Sequence, residues 1–337
     1  MDRQALICII AALAACTSTP DEPHDLDGKQ DGVTWEQRLV TKVTPNVVIE
    51  TVAYRSSGLL VLGQVCRPRA PGRHKIYIYA HGGFVGIADG MGMEWNGGQC
   101  EALAEQGWVV VVPAYRGEDG SEGAIEVCLG EVDDLMEMTR IVLAQAYADP
   151  DRVAIVGASH GGCITLRALQ RGLPAQVAVD LFGATDWSSI YHFWLATVPT
   201  DPSIPFLRDA IGGTPETAPV AYAQRSPLSH AGLQSWPGSL LIVHGVADEV
   251  VPGSNSCAFA AVEASFETYH VDVFGRVVPT APLGCAGLGQ TWLPALPPTW
   301  SGSRHLVMFD GSGHGATVPI GTQLLATAAL YLAAKMP

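Results

Sequence analysis

Gly157-Ala158-Ser159-His160-Gly161-Gly162 is the stretch that decides the reading of this 337-residue chain. It follows the apolar run 152–156 and opens the amphipathic stretch 159–171, so a buried strand is expected to turn directly into a helix here. A serine at such a turn takes a strained backbone, and its neighbours must be small for strand and helix to close on one another. Gly157 and Gly161 meet that demand. The turn lifts a hydroxyl above the sheet and aims a helix N-terminus, with its unpaired N–H groups, at whatever reacts there.

Outward from this point, short β-branched or aliphatic runs at 75–80, 108–113, 177–181, 239–243 and 304–309 alternate with amphipathic stretches. Near-continuous apolar character marks strands covered on both faces, and the alternation marks an α/β fold whose central sheet is mostly parallel with helices on both sides. Helices are expected at 131–147, 159–171 and 322–335. In the first, Val132, Leu135, Met136, Val142, Leu143 and Ala146 share one face, and Asp133, Asp134 and Glu137 the other. The runs 46–54 and 59–66 flank Arg55-Ser56-Ser57-Gly58 and read as an antiparallel hairpin opening the sheet. Two stretches are too long for plain connections. Residues 187–236, with Trp187, Tyr191, Phe193, Trp194 and Phe206, read as a helical cap; residues 268–303, rich in Pro and Gly, read as an insertion before the final strand. Residues 46–337 are expected to form one domain.

Ahead of it, Arg3 precedes an apolar run at 5–15, too short to span a bilayer, so residues 1–15 read as an export signal. The run ends in Leu13-Ala14-Ala15-Cys16, small residues before a cysteine as in a bacterial lipobox, which makes Cys16 the expected lipid-bearing first residue. Residues 16–45 are expected to be a flexible tether, polar throughout 17–32. The chain is therefore expected to be an exported, membrane-anchored lipoprotein of the periplasm or cell surface. Its net charge of −14 excludes nucleic acid as a partner. Of eight cysteines, Cys8 leaves with the signal and Cys16 carries lipid. Export permits disulfides among the others. Cys100 with Cys128 and Cys257 with Cys285 are the expected pairs, and Cys163 a buried thiol. No spacing suggests a metal site, and no metal or organic cofactor is expected.

A serine hydroxyl is a weak nucleophile and needs a base. His314, in Gly311-Ser312-Gly313-His314-Gly315, directly follows the last buried run. The third member should orient the imidazole and stabilise its cation. Asp248, in the loop after the run 239–243, is the expected acid, with Glu249 and Asp186 the alternatives. The order Ser159, Asp248, His314 is that of strand-turn-serine enzymes. A tetrahedral intermediate needs amide donors. The N–H of His160 is one; Gly83, in His81-Gly82-Gly83-Phe84, is the expected second, with Phe84 the alternative.

His81-Gly82-Gly83, Ala114-Tyr115-Arg116-Gly117, the serine turn, His244-Gly245-Val246-Ala247-Asp248-Glu249-Val250-Val251-Pro252 and Gly313-His314-Gly315 follow one another in this order. Together they resemble the catalytic domain of prolyl-oligopeptidase-type serine peptidases and their dienelactone-hydrolase-type relatives, within the α/β-hydrolase superfamily. The resemblance covers about Lys75 to the C-terminus. It implies an α/β-hydrolase fold and chemistry through an acyl-enzyme. It also implies that Arg116 braces a loop against an acid and that Tyr115 contacts substrate; Phe84 and Trp187 are further expected contacts. The N-terminal propeller of those peptidases has no counterpart here, where only the tether and hairpin are expected. With no such filter and an aromatic cap, a small- to medium-sized carboxylic ester is the expected substrate, slightly ahead of a peptide. A lipid-anchored binding protein without chemistry is a third reading, and its mark would be a broken triad.

Overall fold

The computed structural model describes residues 34–87, 98–230, 232–263, 265–297, 299–315 and 320–337. In chain order the elements begin with β1 (Gln37–Val43), β2 (Val47–Ser56), β3 (Leu59–Pro68), β4 (His74–Ala80), α1 (Gln99–Glu105) and β5 (Trp108–Pro113). They continue with α2 (Gly130–Leu143), β6 (Ala148–Ala158), α3 (His160–Gln170), β7 (Val177–Leu181), α4 (Trp187–Thr197), α5 (Ser203–Ile211) and α6 (Pro219–Arg225). The last are β8 (Ser239–Gly245), α7 (Ser254–Val262), β9 (Glu267–Val271), β10 (Val277–Val278), β11 (Arg304–Phe309) and α8 (Ile320–Lys335).

All the strands join one sheet in the order β1-β2-β3-β5-β4-β6-β7-β8-β11-β9-β10. The centre from β5 to β9 is parallel; β1, β2 and β3 are antiparallel, as is the β9–β10 pair. This is the α/β-hydrolase architecture. The parallel strands are buried because both faces are covered. In β4, Ile76 and Ile78 enter the core under α2, α3 and the cap, while Tyr77 and Tyr79 enter the core under α1 and α8, following the two-residue period of a strand. Each such side chain contributes about 1.5–3 kcal/mol over remaining in water. Chain order reverses at β4, which has β5 on one side and β6 on the other. A crevice forms beyond the carboxyl ends of strands at such a reversal, and the loop after β4 and the turn after β6 both lie there.

Several expectations are corrected. Residues 37–43, inside the expected tether, form β1, which pairs antiparallel with β2 and makes the opening hairpin a three-stranded unit. This strand lies at the sheet's edge with mostly exposed side chains, so no buried apolar run announces it. The expected insertion 268–303 begins inside β9, so the sheet continues beyond β11 rather than ending there. On α2, Asp134 is buried rather than exposed, because the Arg116 guanidinium matches its charge at 2.8 Å. The disulfides join Cys66 to Cys100, Cys128 to Cys163 and Cys257 to Cys285. Only the last was expected; Cys100 instead meets β3 across the top of α1's first turn, and Cys163 is no free thiol. The signal span, Cys8 and Cys16 lie outside the described residues. Among the described residues no helix is long and apolar enough to cross a membrane.

Candidate active site

The turn between β6 and α3 holds Ser159 at φ 56° and ψ −118°, a conformation that costs a non-glycine residue of order 1–3 kcal/mol. The packing around it enforces this strain. A side chain on Gly157 would meet the Gly161 carbonyl, and one on Gly161 would meet the backbone of Ala80. The serine is thus wedged between the end of β6 and the end of β4.

His314 arrives on the loop after β11 and Asp248 on the loop after β8, neighbouring strands of the sheet. The Ser159 hydroxyl lies 2.9 Å from His314 Nε2. His314 Nδ1 lies 2.8 Å and 3.0 Å from the two carboxylate oxygens of Asp248. Since a carboxylate can only accept, Nδ1 carries the proton and Nε2 is free to accept from the serine. Asp248 also accepts from the backbone N–H groups of Val250 and Val251, at 2.9 Å and 2.8 Å. His244 stands 3.2 Å from it on the far side. Burial alone would raise the Asp248 pKa, but the bonds from His244 and His314 hold it well below the usual carboxylate range. The carboxylate is therefore charged. Phe182 packs edge-on against the His314 ring, with centroids 4.9 Å apart.

The alternative acids sit elsewhere. Glu249 accepts from the backbone N–H of His314 at 3.3 Å, steadying the loop rather than the ring. Asp186 caps α4, accepting from the N–H groups of Ser188 and Ser189.

His160 is the first residue of α3, so its N–H has no partner within the helix and stays next to Ser159. Its ring is buried and neutral, with desolvation driving its pKa down to about 4. Nδ1 donates to the Gly83 carbonyl at 3.2 Å, and Nε2 accepts from the Cys128 N–H at 2.9 Å. The His81–Phe84 loop is thereby tied to the serine turn. Gly83, at φ +75°, is exposed at the mouth, and Gly82 lies so close that a Cβ there would sit 3.2 Å from Ser159 Cβ.

Phe84 is half-buried, with ring centroids 4.6 Å from His160 and 4.9 Å from Phe206 of the cap. It is the one expected substrate contact with an open face. Tyr115 is wholly buried under His81, stacked at 4.3 Å, and Trp187 is 3% exposed with its indole N–H on Cys163 Sγ. Both are interior supports in this conformation, because the loop 81–84 and the cap helices cover them. Arg116 braces α2 through Asp134 and the following loop through Glu126, at 2.8 Å and 2.7 Å.

Three contributors escaped the sequence reading. Glu131 gathers the backbone N–H groups of Glu126, Val127 and Leu129 at 2.6–3.0 Å. His244 backs Asp248. Glu118 lies 3.3 Å from His81, both of them buried. Glu118 follows the Tyr-Arg-Gly segment directly, which was the available signal. Among the described residues no cluster of three or more His, Cys, Asp or Glu could hold a metal ion.

Comparison with known proteins places the site in context. The profile described as the prolyl oligopeptidase family matches residues 93–263, which include the serine turn and Asp248. An uncharacterized peptidase, YtmA, of Bacillus subtilis (strain 168) is 29% identical over 217 residues, covering 64% of this chain and 79% of that protein. A putative dipeptidyl aminopeptidase IV from Bacteroides ovatus superposes with a TM-score of 0.60 at 15% identity, covering 86% of this chain and 36% of that one. Acylaminoacyl peptidase from Pyrococcus horikoshii gives 0.59 at 17% identity, covering 86% and 42%. This chain therefore spans well under two thirds of those larger peptidases. At these identities the structural likeness shows the shared fold.

Proposed function

The chain belongs to the prolyl oligopeptidase family of serine hydrolases, and from that premise we propose that it is a serine peptidase that cleaves an amide bond of a short peptide or acylated amino acid through an acyl-enzyme. The observation that carries the proposal is the continuous chain from the Ser159 hydroxyl through His314 to Asp248, at 2.9 Å and 2.8 Å. Ser159 attacks the carbonyl carbon as His314 Nε2 takes its proton. The charged Asp248 holds the ring and stabilises the imidazolium. The oxyanion is met by the His160 N–H and by the N–H of Gly83 or Phe84. His314 then gives its proton to the leaving amine, and water repeats the sequence to release the acyl group.

The carboxylic ester slightly favoured on sequence grounds gives way here to the peptide. Support comes from the family match and from a relative, named a peptidase, of which this chain covers 79%. Phe84 and Phe206 at the mouth favour an apolar acyl portion. The test is hydrolysis of aminoacyl and acyl-dipeptidyl p-nitroanilides beside p-nitrophenyl esters of graded chain length. Anilide turnover that disappears in Ser159→Ala is the expected result; inert anilides beside strong ester turnover would overturn the peptidase reading.

Export with lipid attachment at Cys16 belongs to the same proposal. It is supported by the apolar run ending at Ala14-Ala15-Cys16 and by the three disulfides, bonds that persist in oxidising compartments. Metabolic labelling with a fatty acid should mark the protein and fail to mark Cys16→Ser. Equal labelling of both would count against the anchor.

A further inference from the structure

Behind the oxyanion loop lies a second histidine–carboxylate pair. His81 has no exposed surface and Glu118 is 4% exposed. His81 Nδ1 lies 3.1 Å from the Gly82 carbonyl, so Nδ1 must carry the proton. Nε2 is then an acceptor, 3.3 Å from Glu118 Oε2. Neither of these two atoms has another hydrogen-bond partner among the described residues. A carboxylate oxygen facing an imidazole lone pair would repel it. A carboxylic acid O–H in the same place would satisfy both atoms.

The surroundings select the acid. Glu131 and Asp134 of α2 and the adjacent Asp119 face Glu118 with negative charge, Tyr115 lies beside it, and only the Gly86 N–H opposes them. Beyond His81 stands His160, itself neutral. Burial first, and then Glu131 and Asp119, push the Glu118 pKa up to about 9. Desolvation drives His81 down to about 4. Next to Glu118, Asp119 accepts from the Ile87 N–H at 2.6 Å, so consecutive acids clasp the far end of the loop that carries Gly82 and Gly83.

We propose that Glu118 is a positioning residue for the reaction: as a neutral acid it donates to His81 Nε2, fixes the tautomer that holds the Gly82 carbonyl, and so keeps the adjoining N–H groups turned toward the oxyanion. This rests on the acyl-enzyme reading given above. When Glu118 loses its proton to solvent, the ring's own proton must move from Nδ1 to Nε2 to face the carboxylate. Nδ1 then becomes an acceptor and releases the Gly82 carbonyl, loosening the donor side of the site while leaving the Ser159–His314–Asp248 chain intact.

The experiment compares wild type, Glu118→Ala and Glu118→Gln, each first checked for folding by thermal melting and for Ser159 labelling by a fluorophosphonate. With the best anilide or ester substrate, Glu118→Ala should lose about 10–100-fold in kcat with KM changed little, as expected for misplaced oxyanion donors. Glu118→Gln presents an amide N–H to the same Nε2 and should recover to within about fivefold of wild type. The wild type should also lose kcat above about pH 9, where Glu118 ionises, and the glutamine variant should lack that limb. Equal activities of Glu118→Ala and Glu118→Gln, or an alkaline limb that persists in Glu118→Gln, would overturn the proposal. Failure of wild type to label at Ser159 would instead remove the acyl-enzyme reading on which it rests.

Discussion

Two histidine–carboxylate pairs flank Ser159, and they are held in opposite charge states. His314 with Asp248 sits where a second histidine and two backbone N–H groups surround the carboxylate, so its pKa is driven down and it stays charged. His81 with Glu118 sits among other acids and out of water, so its carboxyl is driven up to about 9. The chemical types are the same; the neighbours differ. The charged pair suits an imidazole that must accept a proton and become a cation. The neutral pair suits a backbone loop that must keep one orientation. Environment assigns the role in each case.

The largest effects should come from breaking the charged pair. Ser159→Ala or His314→Ala should cost about 10⁵–10⁶ in kcat, the scale at which the members of such a unit act together. His81→Ala should cost only about 10–100-fold, since it disturbs donor placement and leaves the nucleophile and base intact. If the two histidine variants fell equally, the distinction between the pairs would be lost.

A smaller effect should follow from opening the Cys128–Cys163 disulfide, which ties the loop after β5 to the helix that begins beside Ser159. It closes a sequence separation of 35 residues. The double serine variant should lose about 2–4 kcal/mol of stability by denaturant unfolding.

The smallest effect is a pH dependence of melting. Between the unfolded value near 4.5 and the folded value of about 9, native Glu118 holds a proton that the unfolded chain has released. Its contribution is fully present below the lower value and is lost as pH rises through the folded value. Glu118→Gln should remove that slope, so its melting temperature should fall less than that of wild type between pH 6 and 9. Asp248 runs the other way, because its contribution is lost as pH falls below the usual carboxylate range. A glutamine variant with an unchanged slope would argue against a neutral Glu118.

Much of this was legible in the chain. The valine-rich stretch at β5, and the runs forming β7 and β11, declare buried strands because both their faces are apolar. The serine turn declares itself through glycines that only close packing requires. The edge strand β1 was missed, since its solvent-facing side chains give no apolar run. The strand β9 was absorbed into a loop, because five residues with Glu267, Thr268 and His270 among them carry too short an apolar period. Two of the disulfides were illegible, as pairing depends on which loops meet. Glu118 stood next to a recognised segment, yet its neutrality comes first from burial and then from Glu131, brought near by α2, with the adjacent Asp119 adding to it. No local pattern reports that.

The most direct test is the rate at which a fluorophosphonate modifies Ser159, followed by intact mass and peptide mapping, in wild type, Asp248→Asn and Glu118→Gln. Both substitutions replace a carboxyl group by an amide of the same shape. Modification should slow by about 10³–10⁴ in Asp248→Asn, where the charge and tautomer are lost, and by no more than about fivefold in Glu118→Gln, where the donor is kept. Equal slowing of the two variants, or a label that maps to a residue other than Ser159, would contradict the account.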